Sequence, residues 1–438
     1  MSMPNIYLIK LPHYYHIHDW NLPLGLLYLG SFLKSKGLDP KFLDLSGRDE
    51  NEWNIPLDGN FYCVSSNTPD FHLAVKIAAF LKDKTDATLV IGGIHPTACP
   101  EDTLKSSVFD IAAFGEGEHT LFEIVTGAPI EEINGICYRK NGELHKNPQR
   151  DMEKNLDVFP RPDLSFLDIE KYKNPIIIKD PASKGVPMIV SRGCPYECVF
   201  CASPAMWHRV TRFHGIDYVK ENLDYYLSLG IRHIFFCDDT ITINREFLKK
   251  ICKELRERNI MWRCNSTTNV ITQELTDMLY ENGCRQIDFG VESGSDRILK
   301  IIKKSSTAAK HREAVLTARR SGLMTKCMLM VGHPFETDDD IMETVNFVRT
   351  TPSDLWGLSV FIPLPGCAVA NQPHKFEFEI DETMGYDKYV IYGQDKNNPI
   401  VHKDKDRIEK YRQMVYEAIG QNTTLDVIKN RNDICCQS

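Results

Sequence analysis

Residues 186–201 read VPMIVSRGCPYECVFC, an apolar run that ends in Cys194, Cys198 and Cys201. The apolar half has the length and composition of a buried strand, so the three thiols fall on the loop leaving its carboxyl end. Thiolates are soft, negatively charged ligands that suit zinc or iron-sulfur clusters. Only three are supplied locally. Around a four-iron cluster they leave one iron without a protein ligand, and an open coordination position is what a metal site needs to bind and activate a second molecule. The bland alternative is a structural zinc ion with three cysteines and one histidine, completed by His208 or His214.

That strand opens an alternating series. After it come IRHIFFC, IMWRCNS, CRQIDFGVE, LMTKCMLMVG and LWGLSVFI, with helical stretches between most neighbours. Six strand-helix units predict a partial (β/α)6 barrel over 186–365, with its site at the carboxyl ends of the strands. An earlier series has IYLIKL, KFLDL, FYCVSS, ATLVIGG and FDIAAFG as strands and 24–36, 69–83 and 117–126 as helices. It predicts a Rossmann-like domain over 1–126, which binds ligands beyond its strand ends. Those ends carry Asn67-Thr68-Pro69, Gly92-Gly93-Ile94-His95-Pro96 and Gly115-Glu116-Gly117-Glu118. Residues 127–185, rich in Asn, Lys, Asp and Pro, read as a linker. Residues 366–438 read as a C-terminal extension with a late helix over 404–419, placed to cover a substrate cavity. The fold class is α/β in both domains.

The 438 residues are 42% hydrophobic and 26% charged, enough for two or three domains with sizeable cores. A net charge of -8 argues against a broad grip on nucleic acid. No stretch reaches the length of a membrane span, and MSMPNIYLIKLPHYYHIHDW lacks a basic patch followed by a long apolar run, so a cytoplasmic location with reduced thiols is expected. Cys63, Cys237, Cys252 and Cys327 lie singly in apolar runs as small buried hydrophobes, and Cys435 and Cys436 fall in a frayed tail.

The spacing of Cys194, Cys198 and Cys201, with Phe200 just before the last, resembles the signature of the radical S-adenosylmethionine superfamily. The resemblance implies a [4Fe-4S] cluster whose open iron chelates S-adenosylmethionine, and reductive cleavage of that cofactor to a 5'-deoxyadenosyl radical. FFCDDTITIN (235–244), FGVESGSDRILK (289–300), MVGHPFET (330–337) and PLPGC (363–367) resemble the segments that family carries at its second, fourth, fifth and sixth strands. They imply S-adenosylmethionine contacts at Phe200, Asp239, Glu292 and Ser293. Taken singly, Asp238, Asp239 and Glu292 also read as solvated strand-end carboxylates. One departure is RCNSTTN, which has Thr267 and Thr268 where relatives often place an arginine.

The first domain resembles the cobalamin-binding domain that precedes the barrel in one large branch of that superfamily. LPLGLLYLGSFLKSKG, VIGGIHPTACPEDTL and FGEGEHTLFEI carry this resemblance. It implies cobalamin contacts at Thr68, Gly92, Gly93, His95, Pro96, Gly115 and Glu116. The Asp-x-His-x-x-Gly element of many cobalamin proteins is absent: Asp70-Phe-His72-Leu-Ala-Val75 lacks the glycine, and His13, His16 and His18 do not fit it. A cobalt without that histidine is therefore expected.

With both cofactors, the expected reaction is methylation of an unactivated carbon, or of a phosphinate phosphorus, in a small molecule, lipid or peptide. Flavodoxin or ferredoxin would supply electrons. The same fold also serves radical cyclisation, rearrangement or oxidation. Readings of another class are a cobalamin or iron-sulfur sensor without turnover, for which the extension is too short to be an output domain, and a zinc-binding module. Tyr386, Tyr389 and Tyr392 either line a pocket or pack.

Overall fold

The computed structural model describes residues 3–12, 22–381, 383–389 and 400–422; His13, His16, His18, Tyr392, Cys435 and Cys436 lie outside them. Five parallel strands form the first sheet: β1 (Ile6–Lys10), β2 (Lys41–Asp44), β3 (Phe61–Ser65), β4 (Thr88–Gly92) and β5 (Ile111–Ala113). Their spatial order is β2-β1-β3-β4-β5, so the winding direction reverses between β1 and β3 and opens a ligand crevice at the strand ends. Helices α1 (Leu24–Ser35), α2 (Phe71–Lys84), α3 (Ile94–Ala98), α4 (Pro100–Lys105) and α5 (Glu118–Val125) complete the layers. Alternation along β1 feeds two cores: Ile6 and Leu8 pack with Leu26, Leu33, Leu121 and Ile124 of α1 and α5, while Tyr7 and Ile9 pack with Phe71, Ala74 and Ile77 of α2. A sheet covered on both faces reads as nearly continuous apolar runs, which is why the period-2 signal there is weak.

The first sheet does not stop at residue 126, and this corrects the linker drawn over 127–185. β6 (Ile136–Lys140) and β7 (Glu143–Lys146) extend it antiparallel from β5. Asn141 and Gly142 between them both have positive φ, 52° and 83°, the geometry of a two-residue hairpin turn.

In the second domain, β8 (Asn174–Pro175) edges β9 (Lys184–Met188), and β10 (Ser191–Arg192) pairs with β11 (Arg212–Phe213) across the cysteine loop. Between them lies α6 (Ser203–Trp207). There follow α7 (Ile216–Ser228), β12 (His233–Phe236), α8 (Arg245–Glu257), β13 (Met261–Ser266), α9 (Gln273–Glu281), β14 (Cys284–Glu292), α10 (Asp296–Ile301), α11 (Ala308–Arg320), β15 (Met324–Val331), α12 (Asp338–Thr350) and β16 (Leu355–Val360). The sheet order β16-β15-β14-β13-β12-β9-β8 is open, with six parallel strands, and is the expected partial barrel. After α13 (Ala368–Asn371), the late helix α14 (Lys405–Asn422) packs on α12 and β16, and its Ile408, Tyr411, Val415 and Ile419 enter the barrel core.

The two domains share α1. Its Leu26 and Leu33 belong to the first core, while Leu24, Leu27 and Tyr28 belong to the core of the barrel. Among the described residues no helix is long and apolar enough to cross a membrane.

Candidate functional site

The cysteine loop is positioned from below by Asp238. Its carboxylate accepts from the backbone N–H of Val190 at 3.0 Å, that of Ser191 at 2.5 Å and the Ser191 hydroxyl at 2.5 Å, and burial pushes its pKa up to about 6. Asp238 therefore positions the strand end. Next comes Gly193 at φ 100°, where an added Cβ would collide with the carbonyl oxygen of Val210. Farther along, the loop is pinned by Val199 N–H to Ile302 O at 3.1 Å, and Val369 N–H of α13 donates to Val199 O at 3.3 Å. Phe200 packs beside the Val199, Ile298 and Leu299 cluster rather than standing free.

Cys194, Cys198 and Cys201 are half-buried free thiols. Burial raises all three pKa values, that of Cys201 to about 12, so thiolates at these positions require a cationic partner. Neither histidine of the zinc alternative is turned to them. His208 meets Gln149 at 2.6 Å, and His214 bonds Asp157 at 3.0 Å while stacking on Tyr218. Among the described residues no three Cys, His, Asp or Glu side chains converge as ligands of one ion. A three-thiol set without a fourth protein donor fits a four-iron cluster with one open iron.

Facing the loop are two carboxylates and one cation. Asp239 is buried, which raises its pKa, and accepts from Ser203 Oγ at 2.9 Å. Glu292, at the end of β14 where the register shifts, has φ 70°, an uncommon left-handed conformation for a non-glycine residue. Its Oε1 accepts from Lys304 Nζ at 3.0 Å. Burial would lower the pKa of Lys304, but Glu292 and the Cys198 and Cys201 thiols raise it further, so the ammonium stays charged. Lys304 was not legible in the sequence. Ser293, expected to face S-adenosylmethionine, is fully buried and turns its hydroxyl to Thr344 Oγ1 at 3.2 Å and Ser295 N at 3.1 Å. It shapes the strand-to-helix turn. The loop after β15 is braced by Glu336, which accepts from Gly332 N at 2.6 Å and His333 N at 3.2 Å and whose pKa burial pushes up to about 8.

At the first domain's strand ends, Ser66 N–H donates to Gly92 O at 2.9 Å, His95 N–H to Ser66 O at 3.2 Å, and Gly115 N–H to Thr97 Oγ1 at 3.1 Å. The three predicted segments thus meet. Gly93 has φ 104°, and a Cβ there would lie 2.7 Å from Ser66 O, so that glycine is demanded by the backbone itself. Gly92 is open, its nearest would-be neighbour being Ala113 at 3.9 Å, and nothing lies within 4 Å of a Cβ at Gly115. Ile94 is 47% exposed beside them. An open, glycine-lined backbone with an apolar side chain fits the flat face or tail of a large cofactor. Pro96 and His95 are buried; His95 bonds Thr68 Oγ1 at 3.2 Å, is flanked by Phe71 and Tyr386, and is pushed down to a pKa of about 4 by burial. Tyr386 and Tyr389 line a cavity of about 400 Å³ with Asp102, Pro363 and Gly366. His72 lies on α2 with Nδ1 2.9 Å from Pro69 O.

Glu116 reaches the barrel. Its oxygens pair with Arg192 Nη1 at 2.8 Å and Arg212 Nη1 at 2.9 Å, while Arg192 Nη2 pairs with Glu118 at 2.6 Å. All four side chains are buried. A second junction lies nearby: α3 packs on α6, and a Cβ at Gly366 would lie 3.0 Å from Ala205 and 3.1 Å from Ala98. The strand-end face of the first domain, the helix after the triplet and the loop after β16 therefore adjoin.

The family description "Radical SAM superfamily" matches residues 188–348, and "B12 binding domain" matches residues 19–125. An uncharacterized methyltransferase of Pyrococcus horikoshii is 30% identical over 414 residues, covering 90% of this chain and 86% of that one. The cytidylyl-2-hydroxyethylphosphonate methyltransferase of Streptomyces wedmorensis is 26% identical over 372 residues, 71% of this chain and 69% of that one. The anaerobic magnesium-protoporphyrin IX monomethyl ester cyclase of Rubrivivax gelatinosus is 26% identical over 368 residues, 78% and 64% of the respective chains. The fold is shared with the radical S-adenosylmethionine methyltransferase TsrM from Kitasatospora setae, solved with cobalamin and a [4Fe-4S] cluster, at TM-score 0.68 and 18% identity over 84% of this chain and 75% of that one. The chain belongs to the radical S-adenosylmethionine superfamily, in the branch whose barrel follows a cobalamin-binding domain, and it is an enzyme of [4Fe-4S] cluster, S-adenosylmethionine and cobalamin.

Proposed function

We propose that the protein methylates an unactivated carbon of a small molecule held between the strand-end faces of its two domains. The observation that carries this reading is the junction of α3, α6 and Gly366, which sets the open glycine-lined face beside the cysteine loop. When bound, cobalamin supplies a methyl carrier, and S-adenosylmethionine on the cluster supplies a radical that opens the substrate. The protein holds and orients these groups and excludes water. Cys194, Cys198 and Cys201 hold the cluster. Asp239 and Glu292 suit the amino group of S-adenosylmethionine, and Lys304 suits its carboxylate. Gly92, Ile94 and Gly115 suit the macrocycle or its tail, while Thr68, Gly93, His95 and Pro96 fix the shape of that face.

The test is anaerobic protein with cobalamin, a reductant and S-adenosylmethionine labelled in its methyl group. Release of S-adenosylhomocysteine together with 5'-deoxyadenosine supports methyl transfer; 5'-deoxyadenosine alone favours the second reading, a radical cyclisation such as the cyclase relative's name describes. A label on phosphorus rather than carbon would move the acceptor to a phosphinate.

Glu292→Gln and Lys304→Met are expected to weaken S-adenosylmethionine binding about tenfold or more, with iron content unchanged, since each removes one side of a charge-assisted contact. Glu292→Ala is the poorer probe, because it strands a buried ammonium. Equilibrium dialysis decides it, and wild-type affinity in both variants returns these residues to a structural ion pair.

Gly92→Leu is expected to raise the hydroxocobalamin dissociation constant about tenfold or more in a folded protein, by filling the open backbone face. Gly93 variants are expected to misfold instead, and His72→Ala to bind within about twofold of wild type. Spectroscopic titration with a circular-dichroism check separates these cases; unimpaired binding by Gly92→Leu would move the cofactor elsewhere.

A further inference from the structure

The cysteine loop has a second face. It lines a groove of about 510 Å³ whose floor includes Cys198, Cys201 and Ala205 and whose rim carries Arg209, Lys303 and Lys375. Asp239, Glu292, Ser293 and Lys304 take no part in it, so it opens away from the side that meets those residues. The rim is charged and wet. Glu197 pairs with Arg209 at 3.0 Å and Lys303 at 3.5 Å, and these three side chains are 53%, 55% and 54% exposed. Lys375 is also exposed. Three cations against one carboxylate make this patch positive on a chain whose net charge is -8.

We propose that this groove docks a small acidic one-electron carrier protein of the flavodoxin or ferredoxin class. The inference rests on the reading that the triplet holds an iron-sulfur cluster. Reductive cleavage of a sulfonium C–S bond consumes one electron: the carrier loses it, the cluster gains it and passes it on, and no proton moves in the transfer. That electron must enter where the ligand sulfurs come near the surface, and Cys198 and Cys201 do so on the floor of this groove. Interfaces for electron transfer are small and short-lived, and charge complementarity governs their encounter rate and orientation. A positive rim around an apolar floor, on an otherwise acidic protein, selects an acidic carrier and repels a second copy of this chain's own acidic surface.

The test uses iron-reconstituted protein and a purified acidic flavodoxin, with binding followed by titration and electron entry by stopped-flow bleaching of the cluster. Binding should weaken about tenfold between about 0.05 and 0.3 M salt. The double variant Lys303→Glu, Lys375→Glu should raise the dissociation constant about tenfold or more and slow reduction by flavodoxin hydroquinone to match. Iron content, S-adenosylmethionine affinity and reduction by photoreduced deazaflavin should stay as in wild type. Glu197→Gln should act in the opposite direction, tightening binding, which a merely structural role for the rim would not produce. Wild-type binding and reduction rates in the double variant, or slowing that is equal for flavodoxin and deazaflavin, overturn the docking assignment while the cluster reading stands. Protein that assembles no iron overturns both.

Discussion

Alanine at Cys194, Cys198 or Cys201 is expected to abolish the iron-sulfur absorption of anaerobically reconstituted protein and to end 5'-deoxyadenosine formation, with both sheets still folded. The wild type should hold about four irons and four sulfides per chain. The reasoning is that three half-buried thiols form the whole local donor set, since His208 and His214 are engaged with Gln149 and Asp157. Losing one ligand of three leaves a cluster with too few anchors. Gly193→Ala should give the same loss without touching a sulfur, because the φ of 100° and the collision with Val210 O would displace Cys194 from its place after β10. Iron and sulfide analysis reads both effects. Tight zinc with no iron-sulfur absorption in the wild type would sink the assignment, and full iron in Gly193→Ala would show that the loop tolerates the shift.

The triplet was legible because its information is local: spacing along eight residues, after a strand whose apolar run is unmistakable. The barrel strands were legible for the same reason. What sequence reading missed depends on burial that only the fold creates. Lys304 follows Lys300 and Lys303 in a run that reads as solvated charge, yet it alone of the three is drawn inward to Glu292 and the thiols. Ser293 sits next to Glu292 in GVESG, but the turn into α10 sends its hydroxyl to Thr344. The Gly92-Gly93 pair splits into an open position and one forced by a positive φ, a distinction invisible in two identical letters. The hairpin of β6 and β7 is the opposite case: Asn141-Gly142 between short half-buried runs was a readable turn signal, and the polar composition around it hid the strands.

Glu116→Ala is expected to destabilise the junction of the two domains by about 3–5 kcal/mol at neutral pH, because it leaves buried arginine charge without its partner. The sequence placed Glu116 at a cobalamin edge, whereas the structure commits both its oxygens to Arg192 and Arg212. Arg192 keeps Glu118; Arg212 keeps Glu153 O at 2.5 Å, and its Nε and Nη2 have no hydrogen-bond partner already. Burial would raise the pKa of Glu116, but the two guanidinium groups outweigh it and hold the value below the usual range. A carboxylate depressed in the folded state contributes its stability above the unfolded pKa of about 4.3 and loses it as pH falls through the lower folded value. The gap between variant and wild type should therefore be full at pH 7 and close on acidification below about pH 4. Read as the first transition in a thermal melt, it corresponds to a fall of about 5–10 °C. Arg212→Met should reproduce much of this fall, and any loss of cobalamin binding in Glu116→Ala should then accompany the loosened junction in both variants. If Arg212→Met melts like wild type while Glu116→Ala alone loses cobalamin, Glu116 contacts the cofactor directly and the clamp is incidental.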